Sequence, residues 1–92
     1  NSVVYFSLKG VFIIYHVLKR DIIKSCISLN LIPNYIKIND YFVESLNISF
    51  IDIKVSFEND KRFYYGSIKI QDNDSVKTIR DNVINDFLST LK

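Results

Sequence analysis

The stretch FIDIKVSFENDKRFYYGSIKIQ, residues 50–71, decides the fold. Its first half alternates: Ile51, Ile53, Val55 and Phe57 fall on one side, Asp52, Lys54 and Ser56 on the other. A period of two puts these sets on opposite faces of a strand. Glu58, Asn59, Asp60 and Lys61 supply turn chemistry. The second half returns with Tyr64, Gly66, Ile68 and Ile70 facing inward, and Phe63, Tyr65, Ser67 and Lys69 outward. The pattern predicts an antiparallel hairpin with one apolar face, and that face needs cover.

Helical periodicity on both sides supplies the cover. Downstream, Val76, Ile79, Val83, Phe87 and Leu91 recur every three or four residues, widened by Ile84 and Leu88, and Asp74 or Ser75 stands where a cap belongs. Upstream, Val11, Tyr15, Leu18, Ile22, Cys26 and Leu29 mark a second helical stripe. Asn30 is placed to end that helix, and Pro33 cannot continue it. In NYIKINDYFVE, residues 34–44, Ile36 and Ile38 alternate with Lys37 as in a strand. Asn39-Asp40 reads as a tight turn or a bulge, so this region holds one bent strand or two short ones. SVVYFSLKG, residues 2–10, is rich in β-branched and aromatic residues and predicts a short leading strand. The expectation is one two-layer α+β domain of order (β)-α-β-β-β-α over residues 1–92. Its antiparallel sheet has three or four strands, with both helices packed on one face.

Composition agrees. Ninety-two residues suffice for one domain, and 48% apolar against 24% charged residues is a globular balance. A net charge of +2 falls short of a protein living wholly on phosphate contacts. Ala, Met and Trp are absent, and lysines outnumber arginines nine to three. This bias points to an AT-rich genome, as in an organelle, a parasite or a virus. Without an initiating Met, the chain reads as an ordered piece of a longer or processed product. The most apolar run, GVFIIYHVLK, is well below the roughly 20 residues a membrane span needs, and no small-residue cleavage site follows it. The single Cys26 excludes an internal disulfide and points to a reducing, intracellular setting.

Enzyme signatures are nearly absent. One His and one Cys cannot build a Cys/His zinc site, and Gly10 and Gly66, standing alone, make no phosphate loop. His16, flanked by Tyr15 and Val17, reads as a structural residue and Cys26 as core. Asp72, Asp74, Asp81 and Asp86 suit capping and the helix dipole better than general acid–base work. No cofactor is expected.

Two surface features carry the functional expectation. At the start of the last helix, Lys77 and Arg80 stand a turn apart beside free backbone N–H groups, a place for an anion or simply a solvated helix face. On the outer sheet face, Phe63 and Tyr65 are interleaved with Lys54 and Lys69, with Lys61 and Arg62 at the turn. Aromatic rings among cations can stack bases, and they can equally form a protein contact.

The segments from the first helix onward resemble a double-stranded RNA-binding domain. Pro33-Asn34-Tyr35 matches the Pro-x-Tyr after that family's first helix, and Phe50 matches the Phe that opens its second strand. Ser75, Lys77 and Arg80 match its Ser-Lys-Lys-x-Ala-Lys helix start, where Val76 replaces one Lys and Ile79 the Ala. The family's Gly-x-Gly approach is replaced by IKIQDND. The small Alu-binding subunits of signal recognition particle share this element order. With a leading strand, the chain is also similar to the small dimerisation subunit of the KEOPS complex, in IKVSF, FYYGSIKI and DSVKTI. The first resemblance implies a noncatalytic module of an RNA-processing or ribonucleoprotein assembly, holding RNA backbone at the matched Lys77 and Arg80; Lys61 and Arg62, the cations at the hairpin turn, are expected to join them. The second implies a protein-interaction or dimerisation module. Its contact surface would be the outer face around Phe63, Tyr65, Lys54 and Lys69, with protein subunits as partners and possible homo- or hetero-oligomers.

Overall fold

The computed structural model describes the backbone of residues 8–71 and 73–92, with side chains from Ile13 onward. The leading strand expected over residues 2–10 lies for the most part outside the described residues. Its last three positions, Leu8 to Gly10, are helical instead. Helix α1 spans Leu8–Ser28 and so begins three residues before the expected stripe.

Helix α1 ends as Asn30 suggests. Asn30 takes a left-handed φ of 58°, which a short polar side chain tolerates. The Leu31 N–H then reaches back to the Cys26 carbonyl at 2.8 Å, and the Asn30 N–H to the Ile27 carbonyl at 3.1 Å. These are the paired bonds of a Schellman ending, and both Leu31 and Cys26 are buried beside it. Burial also pushes the Cys26 thiol pKa up.

Three antiparallel strands follow: β1 (Pro33–Val43), β2 (Ile48–Phe57) and β3 (Phe63–Ile70), in sheet order β1-β2-β3. Asn39 and Asp40 make no turn. They pair in register with Asp52 and Ile51 inside one continuous strand. The irregularity falls between Pro33 and Tyr35, where proline has no N–H to give a ladder. The chain reverses after Val43 through a 3₁₀ turn, Glu44–Leu46, and a left-handed Asn47.

Helix α2 spans Val76–Leu91. Of the two cap candidates, Ser75 takes the role: its Oγ accepts from the Thr78 N–H at 3.1 Å. The Asp74 carboxylate instead accepts from the Gln71 N–H at 2.8 Å. The architecture is thus α-β-β-β-α, with the helices covering one face of the sheet.

Ile14, Leu18, Ile22 and Cys26 of α1 meet Ile51, Ile53, Val55, Tyr64 and Ile70 of the sheet and Ile79, Val83, Ile84, Phe87 and Leu91 of α2 in one core. Tyr64 crosses that core. Its ring meets Phe87 edge-on at 5.0 Å between centroids, and its hydroxyl donates to Asp86 at 2.5 Å. Gly66 makes room, because a β-carbon there would fall 2.0 Å from the Tyr64 hydroxyl oxygen. Helices α1 and α2 are joined at their edge by a charged clamp. The Asp21 carboxylate, with only 6% of its side chain exposed, accepts from Arg20 at 3.0 Å and from Arg80 of α2 at 2.7 Å.

Candidate binding face

The four cations expected to hold RNA backbone do not converge. Arg62 donates to the carbonyl of Leu91, the last residue of α2. Lys77 stands in the first turn of that helix, fourteen positions earlier. At a rise of about 1.5 Å per residue, the two pairs sit roughly 20 Å apart, at opposite ends of α2.

Three of the four are also engaged within the chain. Arg80 is held between Asp21 and Asp81, at 2.7 and 2.9 Å, and Lys77 reaches Asp81 at 2.7 Å. Hydrogen bonds from Lys77 and then Arg80 lower the Asp81 pKa. Arg62 folds back on Asp60 at 2.9 Å, and its hydrogen bonds hold the Asp60 carboxyl down at about 2. Lys61 alone of the four has no ion-pair partner among the described residues. His16 is exposed on α1 beside Lys19, Arg20 and Ile23. Among the described residues, no three His, Cys, Asp or Glu side chains are grouped to hold a metal, and no helix is long and apolar enough to cross a membrane.

The outer sheet face is different. Strand register sets its rows across β1, β2 and β3. Tyr35, Ser56 and Phe63 form the first row, and Lys37, Lys54 and Tyr65 the second. Asn39, Asp52 and Ser67 form the third, and Tyr41, Phe50 and Lys69 the fourth. Phe63 is 69% exposed, Tyr65 and Tyr35 52% each, and Tyr41 42%. Both helices lie on the opposite side, so no described element covers this face.

Local contacts order several of these groups. The Lys54 ammonium lies 5.6 Å from the centre of the Tyr65 ring, within cation–π reach. Tyr41 and Phe50 stack at 5.3 Å with 17° between planes. The Tyr65 hydroxyl leans to Asp52 Oδ2 at 3.5 Å, and Asp52 Oδ1 is buried without a hydrogen-bond partner. The Asp52 charge is the main reason the Tyr65 phenol pKa is raised. Lys37 and Lys54 sit directly opposite each other, a like-charge pair that costs the free sheet stability. Lys37, Lys54 and Lys69 form no ion pair among the described residues.

All four residues of the expected partner-contact set, Phe63, Tyr65, Lys54 and Lys69, are exposed on this face. Sequence reasoning missed Tyr35, Lys37 and Tyr41 as their neighbours. The signal was present: from Tyr35 to Tyr41 the odd positions alternate with Ile36 and Ile38, provided the stretch is taken as one strand. Allowing a turn at Asn39-Asp40 broke that count.

Compared with family models, with curated proteins and with solved structures, the chain finds no match.

Proposed function

We propose that this chain is a noncatalytic RNA-binding module of a larger assembly, and that it takes single-stranded RNA on its open sheet face. The observation that carries the reading is the interleaving of exposed rings at Tyr35, Tyr41, Phe63 and Tyr65 with Lys37, Lys54 and Lys69, which form no ion pair among the described residues. Rings on an open sheet present flat apolar surface to unstacked bases, and lysines beside them can follow the phosphates. A phosphate near Lys37 and Lys54 would also relieve their mutual repulsion. Lysine is depleted at the centres of protein contacts, so two lysines in mid-face favour a polyanion over a protein. The engagement of Lys77, Arg80 and Arg62 with carboxylates weighs against a duplex-backbone clamp at the helix start.

One observation favours the alternative, a protein-interaction or dimerisation surface. Tyr41 and Phe50 already stack on each other, and Val43 and Ile48 continue that end of the face as an apolar patch. An oligonucleotide titration separates the readings. A 12-nucleotide oligouridine should bind at low salt and weaken steeply as salt rises, and Phe63→Ala/Tyr65→Ala should cost about 1–3 kcal/mol per lost base stack. Lys77→Ala/Arg80→Ala should leave that binding within twofold. Preference for duplex over single strand, or no binding at low salt, sinks the proposal. Concentration-dependent self-association abolished by Tyr41→Ala would move the assignment to the alternative.

A further inference from the structure

Strand β1 has a second, separate asset: its edge. Among the described residues, the order β1-β2-β3 leaves one side of β1 without a neighbour, along eleven residues, Pro33–Val43. One point fixes which backbone groups face outward. The Asp40 N–H is turned away from β2 and donates to the Tyr15 hydroxyl of α1 at 3.0 Å, while that hydroxyl donates to the Asp40 carboxylate. In an antiparallel ladder, outward-facing residues alternate with paired ones. Ile36 and Ile38, of the same parity as Asp40, therefore turn their N–H and C=O groups to the open edge. Tyr15 closes the edge at Asp40, and nothing described closes it at Ile36 and Ile38.

Beside the open part lies a hollow of about 260 Å³ between α1 and β1, lined by Lys19, Ile23, Pro33, Asn34, Tyr35 and Ile36. It adjoins a second hollow on α1 bounded by His16, Lys19, Arg20 and Ile23. A strand added along Ile36 and Ile38 would send alternate side chains to opposite faces. Those on the helix side would meet Ile23 and Ile36, under Lys19. Those on the other side would lie over Lys37. Lys19 and Lys37 thus flank the open part of the edge on its two sides, while the Asp40 carboxylate, held by the Tyr15 hydroxyl, stands at its far end; neither Lys19 nor Lys37 has an ion-pair partner among the described residues.

We propose that the β1 edge at Ile36 and Ile38 is a strand-addition site for an extended acidic peptide segment of another protein, with an aliphatic side chain in the α1–β1 hollow and carboxylates on Lys19 and Lys37. Main-chain bonds supply the affinity in this mode, and the hollow and the flanking charges supply the selection. Charge decides against a second copy as occupant. Two-fold pairing of β1 with itself would bring Lys19 and Lys37 of each copy onto the same strand-to-strand seam, cation against cation. This site shares Lys37 and Tyr35 with the sheet face but is reached through the backbone edge of β1, and it stands whether or not that face binds RNA.

The test is an amide-resolved NMR titration of the whole chain with the octapeptide (Glu-Glu-Val-Glu)₂, whose extended form carries Val and Glu on one face and Glu alone on the other, and with (Lys-Lys-Val-Lys)₂ as the control. Saturable shifts concentrated at Ile36, Ile38, Lys19 and Ile23 are expected with the acidic peptide, with at least tenfold weaker binding of the basic one. Lys19→Glu, an exposed change that spares the core, should weaken the acidic peptide by at least threefold. Ile38→Pro removes the edge N–H itself and should abolish the shifts; its folded state is checked by retention of the Tyr64 and Phe87 ring signals. Shifts confined to Phe63, Tyr65 and Tyr41 would overturn the proposal, as would equal binding of both peptides or no localised shift at 1 mM peptide. Dimerisation of the free chain that protects the Ile36 and Ile38 amides would overturn it in favour of self-pairing. Oligouridine shifts on the outer face, or their absence, test the RNA reading alone.

Discussion

Replacing Asp21 by Asn tests the clamp between the helices. Asp21 has 6% of its side chain exposed and takes hydrogen bonds from Arg20 and from Arg80, at 3.0 and 2.7 Å. Those bonds, Arg20's first and Arg80's second, hold its carboxyl at about 2 against an ordinary 3.8. At roughly 1.4 kcal/mol per pH unit, the difference corresponds to about 2 kcal/mol of folding stability. The two guanidiniums are 51% and 38% exposed on their side chains, so solvent screening makes that an upper figure. Asn keeps one acceptor oxygen, so the loss stays below the roughly 3–5 kcal/mol of a broken buried ion pair. The sign follows from the depressed value in the folded state. The stabilisation is complete above the unfolded carboxyl range and disappears as pH falls through about 2. Urea unfolding of the wild type and of Asp21→Asn should therefore differ by 1–2 kcal/mol at pH 7, and this gap should close between about pH 4 and pH 2. Both proteins share every other carboxylate, so the difference isolates Asp21. A gap under about 0.5 kcal/mol at pH 7, or one that stays constant down to pH 2, refutes the reasoning.

Further outcomes follow from the same contacts. Gly66→Ala should destabilise by about 1–3 kcal/mol, since the new methyl displaces the Tyr64 ring, and the ring signals of Tyr64 and Phe87 should move together in NMR spectra. Tyr64→Phe removes the bond to half-buried Asp86 and should cost about 1–2 kcal/mol in urea unfolding with an unchanged m-value. Asn59→Ala should cost about 1–2 kcal/mol, because Asn59 both donates to the Asn30 carbonyl and accepts from the Ile32 N–H, tying the hairpin turn to the end of α1; faster amide exchange at Ile32 checks it. Lys54→Glu should raise the stability of the free chain by about 0.2–1 kcal/mol by removing its repulsion with Lys37, while weakening oligouridine binding by tenfold or more.

Much of this protein is legible along the chain. The alternation from Ile51 to Phe57 and from Tyr64 to Ile70 determines a hairpin with one buried face, because strand geometry sends neighbours to opposite sides. The stripes Leu18-Ile22-Cys26 and Ile79-Val83-Phe87-Leu91 determine two one-sided helices, and Ser75 and Asn30 mark their ends by backbone preferences that need no distant partner. The outward direction of Phe63 and Tyr65 follows from the same count. What Lys77, Arg80 and Arg62 do does not. Their residue types suggested phosphate contacts, yet Asp21 is fifty-nine positions from Arg80, and Leu91 twenty-nine from Arg62. No local pattern announces such pairings. Only the packing of α1 beside α2, and of the hairpin turn beside the end of α2, brings those charges within bonding distance. Tertiary structure likewise decided that β1 runs unbroken through Asn39 and Asp40, because ladder partners on β2 outweigh the turn preference of two residues. The open face and the open edge are both consequences of where the helices settled, a choice that burial of the whole core makes and no single segment contains.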